Sequence, residues 1–242
     1  MEIHGVARTI RARSAEQRLT DLEKIKTYRD LEDQIQAQAA SGIYGLALFQ
    51  LTTKLVHLNP EHYTVWNVRR RCLISGLLSR RSDQGSGAQD PVSDAKNREL
   101  DAHVLQSELA FITPLMVQFP KCYWIWNFRR WILSQCLLRL PIPIARKIWE
   151  TELDLVSKML TKDQRNFHGW GYRRFVVTIL ESPKLMGKSM AEDEFAYTTR
   201  MIQGNLSNFS AWHHRSQLIP RVLDERGADD KTRLFLSKSW IL

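Results

Sequence analysis

Cysteine is scarce in this chain, and so are the devices that usually mark a self-contained catalytic centre. The three cysteines, Cys72, Cys122 and Cys136, are odd in number and lack C-x-x-C spacing. That usage argues against a disulfide framework or a chain-borne zinc site, and suits free thiols in a reducing compartment. No apolar run is long enough to span a bilayer, and the N-terminus has no signal-peptide h-region. A cytoplasmic protein without a membrane span is therefore expected. There is no glycine-rich phosphate loop, no H-E-x-x-H, no nucleophile elbow and no acid cluster with metal spacing. No cofactor is expected to bind this chain.

What is present is a repeat. The pattern aromatic-x-x-Trp-x-x-Arg occurs four times, as Tyr63/Trp66/Arg69, Tyr123/Trp126/Arg129, Phe167/Trp170/Arg173 and Phe209/Trp212/Arg215. A second arginine follows in three copies, as Arg70, Arg130 and Arg174, and the fourth has Ser216. Aromatic, Trp and Arg stand three apart, which places each trio on one face of a helix. The aromatic–Trp stripe is expected to be core packing between helix pairs. The arginines, recurring with the architecture, are read as structural.

The Trp residues are spaced by 60, 44 and 42 residues. A period in the forties signals an array of helix pairs, hence an all-α, right-handed solenoid or alpha-alpha superhelix of antiparallel pairs. Read in order, the single helical-repeat domain 1–242 has a basic arm at 1–13, containing His4, and a lead helix at 14–40. Repeats lie at about 44–79, 98–140, 144–180 and 191–223. A polar segment at 81–97 lengthens the first interval and reads as a flexible insertion. An irregular end occupies 224–242, with a short helix conceivable from Thr232 to Leu242. The lead helix has an apolar stripe at Leu19, Leu22, Ile25, Tyr28, Leu31 and Ile35. Asn166 and Asn208, each just before the aromatic, suit helix N-caps. Pro141 and Pro143 are placed to stop the helix before them.

Three acids also recur. Glu108, Glu152 and Glu194 each lie 18 residues before a repeat Trp, on the preceding helix. This suggests an interhelical ion pair within each repeat, absent from the first, where Leu48 holds that place. His213-His214 reads as a pair of helix-surface residues, because neighbours on a helix point about 100° apart. The net charge of +9 raises nucleic acid as a partner. A nucleic-acid reader needs exposed aromatics interleaved with Lys and Arg, whereas these aromatics are expected on the packing face. Lys121 follows Pro120 at an inter-helix turn, where it is either an ordinary surface lysine or an anion ligand beside a helix start.

Four copies of [Tyr/Phe]-x-x-Trp-x-x-Arg over residues 44 to about 223 resemble the alpha-subunit repeats of protein prenyltransferases. Within that family, Asp163 to Phe175 and the His4-Gly5 start are most similar to the branch that geranylgeranylates Rab GTPases. The resemblance implies the alpha subunit of a Rab geranylgeranyltransferase, inactive by itself and wrapped around a prenyltransferase beta subunit. Zinc would sit in that partner, and geranylgeranyl diphosphate at the subunit interface. Rab GTPase, presented by a Rab escort protein, would be the substrate. Pro120-Lys121-Cys122-Tyr123 matches the family context in which a lysine stabilises the diphosphate, which makes Lys121 a catalytic candidate. Tyr123, Asn166 and His168 become substrate-binding candidates on the same basis. The alternatives are the alpha subunit shared by farnesyltransferase and type I geranylgeranyltransferase, and a noncatalytic helical-repeat scaffold.

Overall fold

A computed structural model describes residues 14–79, 91–229 and 233. The chain divides into two compact units, 1–80 and 81–242. The arm at 1–13 lies outside the described residues, as do 81–90 and, apart from 233, the segment 232–242. All regular structure among the described residues is helical.

The first unit holds α1 (Ala15–Ala40), α2 (Leu46–Leu58) and α3 (Tyr63–Cys72), then a π-helical turn, Leu73–Leu77. Ser14 starts α1 with a reciprocal capping box to Gln17, and Gly42, at φ +75°, turns the chain after it. The apolar stripe of α1 is only half used. Ile35 is buried, whereas Leu19, Leu22 and Ile25 are exposed. Contacts that anchor α1 come from its second half, where Asn59 Nδ2 donates to Tyr28 Oη at 3.1 Å and His62 Nε2 lies 2.8 Å from Glu32 Oε1. Leu48, Leu55, Val56, Val65, Trp66, Cys72 and Leu73 form the core of this unit. Gly76 closes it, since a Cβ there would meet the Tyr44 carbonyl oxygen at 2.5 Å.

The second unit consists of three helix pairs. They are α4 (Pro91–Gln118) with α5 (Tyr123–Arg139), α6 (Ile142–Lys162) with α7 (Phe167–Leu180), and α8 (Ala191–Gly204) with α9 (Phe209–Glu225). Residues 91–97, expected within a loop, are the first turns of α4. Pro91 suits a first helical position, and the polar residues behind it continue a surface helix. Pro143 does not stop a helix but sits in the first turn of α6, which begins two residues ahead of the expected start. Helix α6 shows why a pair forms. Ala145, Ile148, Trp149, Glu152, Val156 and Leu160 fall on one helical face and all are buried.

Asn166 and Asn208 are the expected caps, accepting from the Gly169 and Ala211 amides at 2.9 and 3.1 Å. Each repeat Trp then ties down the turn before its own helix. The indole N–H donates to the carbonyl six residues back, on Pro60, Pro120, Gln164 and Leu206, at 2.8, 2.9, 2.8 and 2.9 Å. Trp66, Trp126 and Trp170 are buried, so these bonds satisfy a donor that burial would otherwise leave costly.

Candidate functional site at the α5 and α7 helix starts

The first arginine of each motif is a structural group. Its partner within the repeat is a hydroxyl sixteen residues earlier. Arg69 donates to Thr53, Arg129 to Thr113, Arg173 to Ser157 and Arg215 to Thr199, at 2.8, 3.1, 2.6 and 2.7 Å. This Ser/Thr, always thirteen residues before the Trp, is a repeat position that pattern reading overlooked although it stands in all four copies.

The acids are not shared within a repeat as expected. Glu152 is gripped by Arg129 of the preceding repeat, through Nε at 2.7 Å and Nη2 at 2.6 Å. Glu194 is gripped likewise by Nε and Nη2 of Arg173. From its own repeat each acid takes a different donor, Tyr172 Oη for Glu152 at 2.5 Å and His214 Nε2 for Glu194 at 3.0 Å. The acid projects from its helix toward the earlier pair, so it fastens one repeat to the next. Burial alone would lower the Arg129 pKa, but Glu152 outweighs it and raises it. Burial, and then the Glu152 charge, hold the Tyr172 hydroxyl well above its usual pKa, so it stays a donor. His214 is correspondingly not a surface residue. It is buried against Trp170, with ring centroids 5.6 Å apart, while His213 is exposed.

The motif aromatics reverse the expectation of core packing. Tyr63, Tyr123, Phe167 and Phe209 are 56%, 52%, 79% and 71% exposed. Each is the first residue of its helix. A side chain there leans back over the end of the helix, away from the face that Trp and Arg bury. In the second unit this leaves Tyr123 and Phe167 at the mouth of a cleft of about 260 Å³. Trp126, Asn127, Arg130, His168 and Gly171 complete it.

Around this cleft the sequence candidates come together. His168 stacks on Trp126, with centroids 6.3 Å apart and planes at 18°, and its ring lies 6.3 Å from that of Tyr123. Lys121 is exposed on the adjoining turn, which closes with a Cys122 N–H to Phe119 carbonyl bond of 3.0 Å. Asn166 is buried rather than displayed. Its amide donates to the Pro120 carbonyl at 3.2 Å and to Asp163 at 3.3 Å, while its oxygen caps α7. Asn166 thereby holds the α7 turn against the residue that precedes Lys121. Arg130, Asn127 and Gly171 were not read as site residues. The signal for Arg130 is the second arginine itself, which a helix turns by 100° from the first. Among the described residues no group of three or more His, Cys, Asp or Glu side chains could hold a metal ion, and no helix is long and apolar enough to cross a membrane.

Stacked antiparallel helix pairs with a Trp-anchored turn and an arginine–acid clasp define an alpha-helical repeat protein. The protein prenyltransferase alpha subunit repeat matches the chain at residues 47–75, 105–136, 149–180 and 191–222. The chain belongs to that family. It is 38% identical over 225 residues to the geranylgeranyl transferase type-2 subunit alpha of Candida albicans, covering 90% of this chain and 56% of the relative. With the Saccharomyces cerevisiae protein of the same name identity is 36%, covering 92% and 61%. The Homo sapiens protein of that name is 30% identical, covering 96% and 36%. The chain thus spans less than two thirds of each of these relatives. A solved structure, Candida albicans protein geranylgeranyltransferase-I complexed with GGPP, superposes with a TM-score of 0.58 at 22% identity. It covers 86% of this chain and 57% of that one, and shows the same fold.

Proposed function

We propose that this chain is the alpha subunit of a heterodimeric protein geranylgeranyltransferase that modifies C-terminal cysteines of Rab GTPases. The observation that carries the reading is Lys121. It is exposed, makes no hydrogen bond or ion pair with a described residue, and stands on a turn that Asn166 and the Trp126 indole both fasten through the Pro120 carbonyl. A lysine held this way is a point charge on a fixed base, able to meet a diphosphate delivered by a partner chain. Geranylgeranyl diphosphate would lie at the subunit interface. As the allylic carbon–oxygen bond breaks, negative charge builds on the leaving diphosphate, and the Lys121 ammonium stabilises it. Tyr123 and His168, beside that turn, would line the approach, with Asn166 positioning it. Zinc, in this reading held by the beta subunit, supplies the substrate cysteine as a thiolate.

The similarity to type-2 alpha subunits supports the Rab-directed branch over the alpha subunit shared by farnesyltransferase and type I geranylgeranyltransferase. The test is co-expression with a type II beta subunit and, separately, with farnesyltransferase and type I beta subunits. Each complex is then assayed for transfer to a Rab GTPase presented by its escort protein and to CaaX-type substrates. Rab modification with the type II partner alone is expected. Assembly only with the other beta subunits would assign the chain to the shared alpha subunit, and assembly with none would leave a scaffold.

A further inference from the structure

Two half-buried arginines in the second unit lack the carboxylate partner that the buried Arg129 and Arg173 have among the described residues. The acid beside Arg129 is engaged on both oxygens, and so is the acid beside Arg173. Arg130 and Arg174 each follow one of those arginines by a single residue, so their side chains leave the helix about 100° away from the clasp. Both are half-buried. Arg130 lies with Cζ 4.8 Å from the Phe175 ring centroid and Nη2 3.9 Å from where a Cβ on Gly171 would stand. Its Nε is buried and meets no acceptor among the described residues. Arg174 likewise has no hydrogen-bond acceptor among them. Burial, and then the neighbouring charge of Arg130, hold Arg174 below the usual arginine pKa. A like-charged guanidinium pair, partly dehydrated and without an acceptor among the described residues, is an unfavourable arrangement.

We propose that Arg130 and Arg174 are a receptor for a carboxylate side chain of the subunit that covers this face. This rests on the heterodimer reading above and adds the chemistry that recognises the partner. A guanidinium fork suits a carboxylate bidentately. The rim is right for a protein surface rather than a free ion, because Tyr123 and Phe167 stand exposed at the cleft mouth and need apolar cover. Arg130 lies seven residues into α5 from Tyr123, roughly 10 Å along the axis, so the carboxylate is placed deeper along α5 than the turn that carries Lys121. The partner surface therefore carries an acid set among apolar residues, where water is excluded and the pair acts strongly.

The experiment compares wild type with Arg130→Met, Arg174→Met and the double variant, each with the type II beta subunit. Heterodimer dissociation is measured by sedimentation, together with thermal melting of each alpha chain alone. Each single substitution should weaken assembly on the order of thirtyfold or more, while the chain alone melts no lower than wild type. Arg130→Glu should abolish assembly and be rescued by an acid-to-lysine change in the partner. Unchanged affinity in the double variant would overturn the proposal. So would a lowered melting temperature of the chain alone with assembly intact, which marks a structural role. Saturable binding of inorganic diphosphate to the wild-type chain, lost in Arg130→Met, would give the pair to a free anion and also overturn it. If the wild type assembles with no beta subunit, the heterodimer reading itself fails, and this inference falls with it.

Discussion

Arg129 and Glu152 belong to successive helix pairs and face each other through two bonds, of 2.7 and 2.6 Å, both side chains almost wholly buried. The contact is a clasp between repeats, and it locks the register of α5 against α6. Tyr172 donates to Oε2, the oxygen that also accepts from Arg129 Nε, so both oxygens of the acid are engaged. The same construction returns with Arg173, Glu194 and His214. A buried pair of this kind contributes less to net stability than to fixing one arrangement, but halving it is costly.

Arg129→Met should therefore destabilise the chain by about 3–5 kcal/mol, because Glu152 is left buried with its charge uncompensated. The double substitution Arg129→Met with Glu152→Gln should recover a good part of that loss. Urea denaturation of the two variants checks both statements, and a double variant as unstable as the single one would contradict the clasp.

Acid should weaken the fold through Glu194. Burial would raise its pKa, but hydrogen bonds from His214 and Arg173 outweigh it and hold it below the ordinary carboxylate value. A depressed folded-state pKa contributes stability that is fully present above the unfolded value of about 4.3. That stability is lost as pH falls through the folded pKa. The denaturation midpoint should drop below about pH 4.3, and Glu194→Gln should flatten that part of the profile. An unaltered acid limb in Glu194→Gln would remove Glu194 from the account.

Trp126 and Tyr123 stand three residues apart and should respond in opposite ways. Trp126→Ala removes a buried ring and the bond to the Pro120 carbonyl, and should cost about 3–5 kcal/mol. Tyr123→Ala removes an exposed ring, and the chain should keep its stability to within about 0.5 kcal/mol. Its effect should fall on assembly and transfer instead. Equal destabilisation by the two would show that the motif aromatic is part of the core after all.

Lys121→Ala should leave folding and assembly as they are, since the side chain is exposed and makes no hydrogen bond or ion pair with a described residue. It should slow single-turnover transfer in the heterodimer by about 2–4 kcal/mol of activation free energy, as for loss of one preorganised donor. Wild-type turnover by the assembled variant would reduce Lys121 to an ordinary surface lysine.

Much of this protein was written along the chain. The spacing of Trp66, Trp126, Trp170 and Trp212 determined a helical-repeat array, and Asn166 and Asn208 marked two helix starts to the residue. These are local properties: a 3.6-residue period sets which residues share a face, and a cap reaches only three residues ahead. What a face meets is a different matter. Glu152 and Arg173 had the right separation for a pair, yet Glu152 went to Arg129, because the packing of α6 against α5 aims the acid backwards. The aromatics lay on the Trp face by spacing, yet a first-turn side chain leans past the helix end into the open. The contrast between Arg129, bonded through all three of its nitrogens, and Arg130, one residue on and without an acceptor among the described residues, likewise has no trace in the sequence. Adjacent identical residues differ only in the direction they point, and the neighbouring helices decide what stands there.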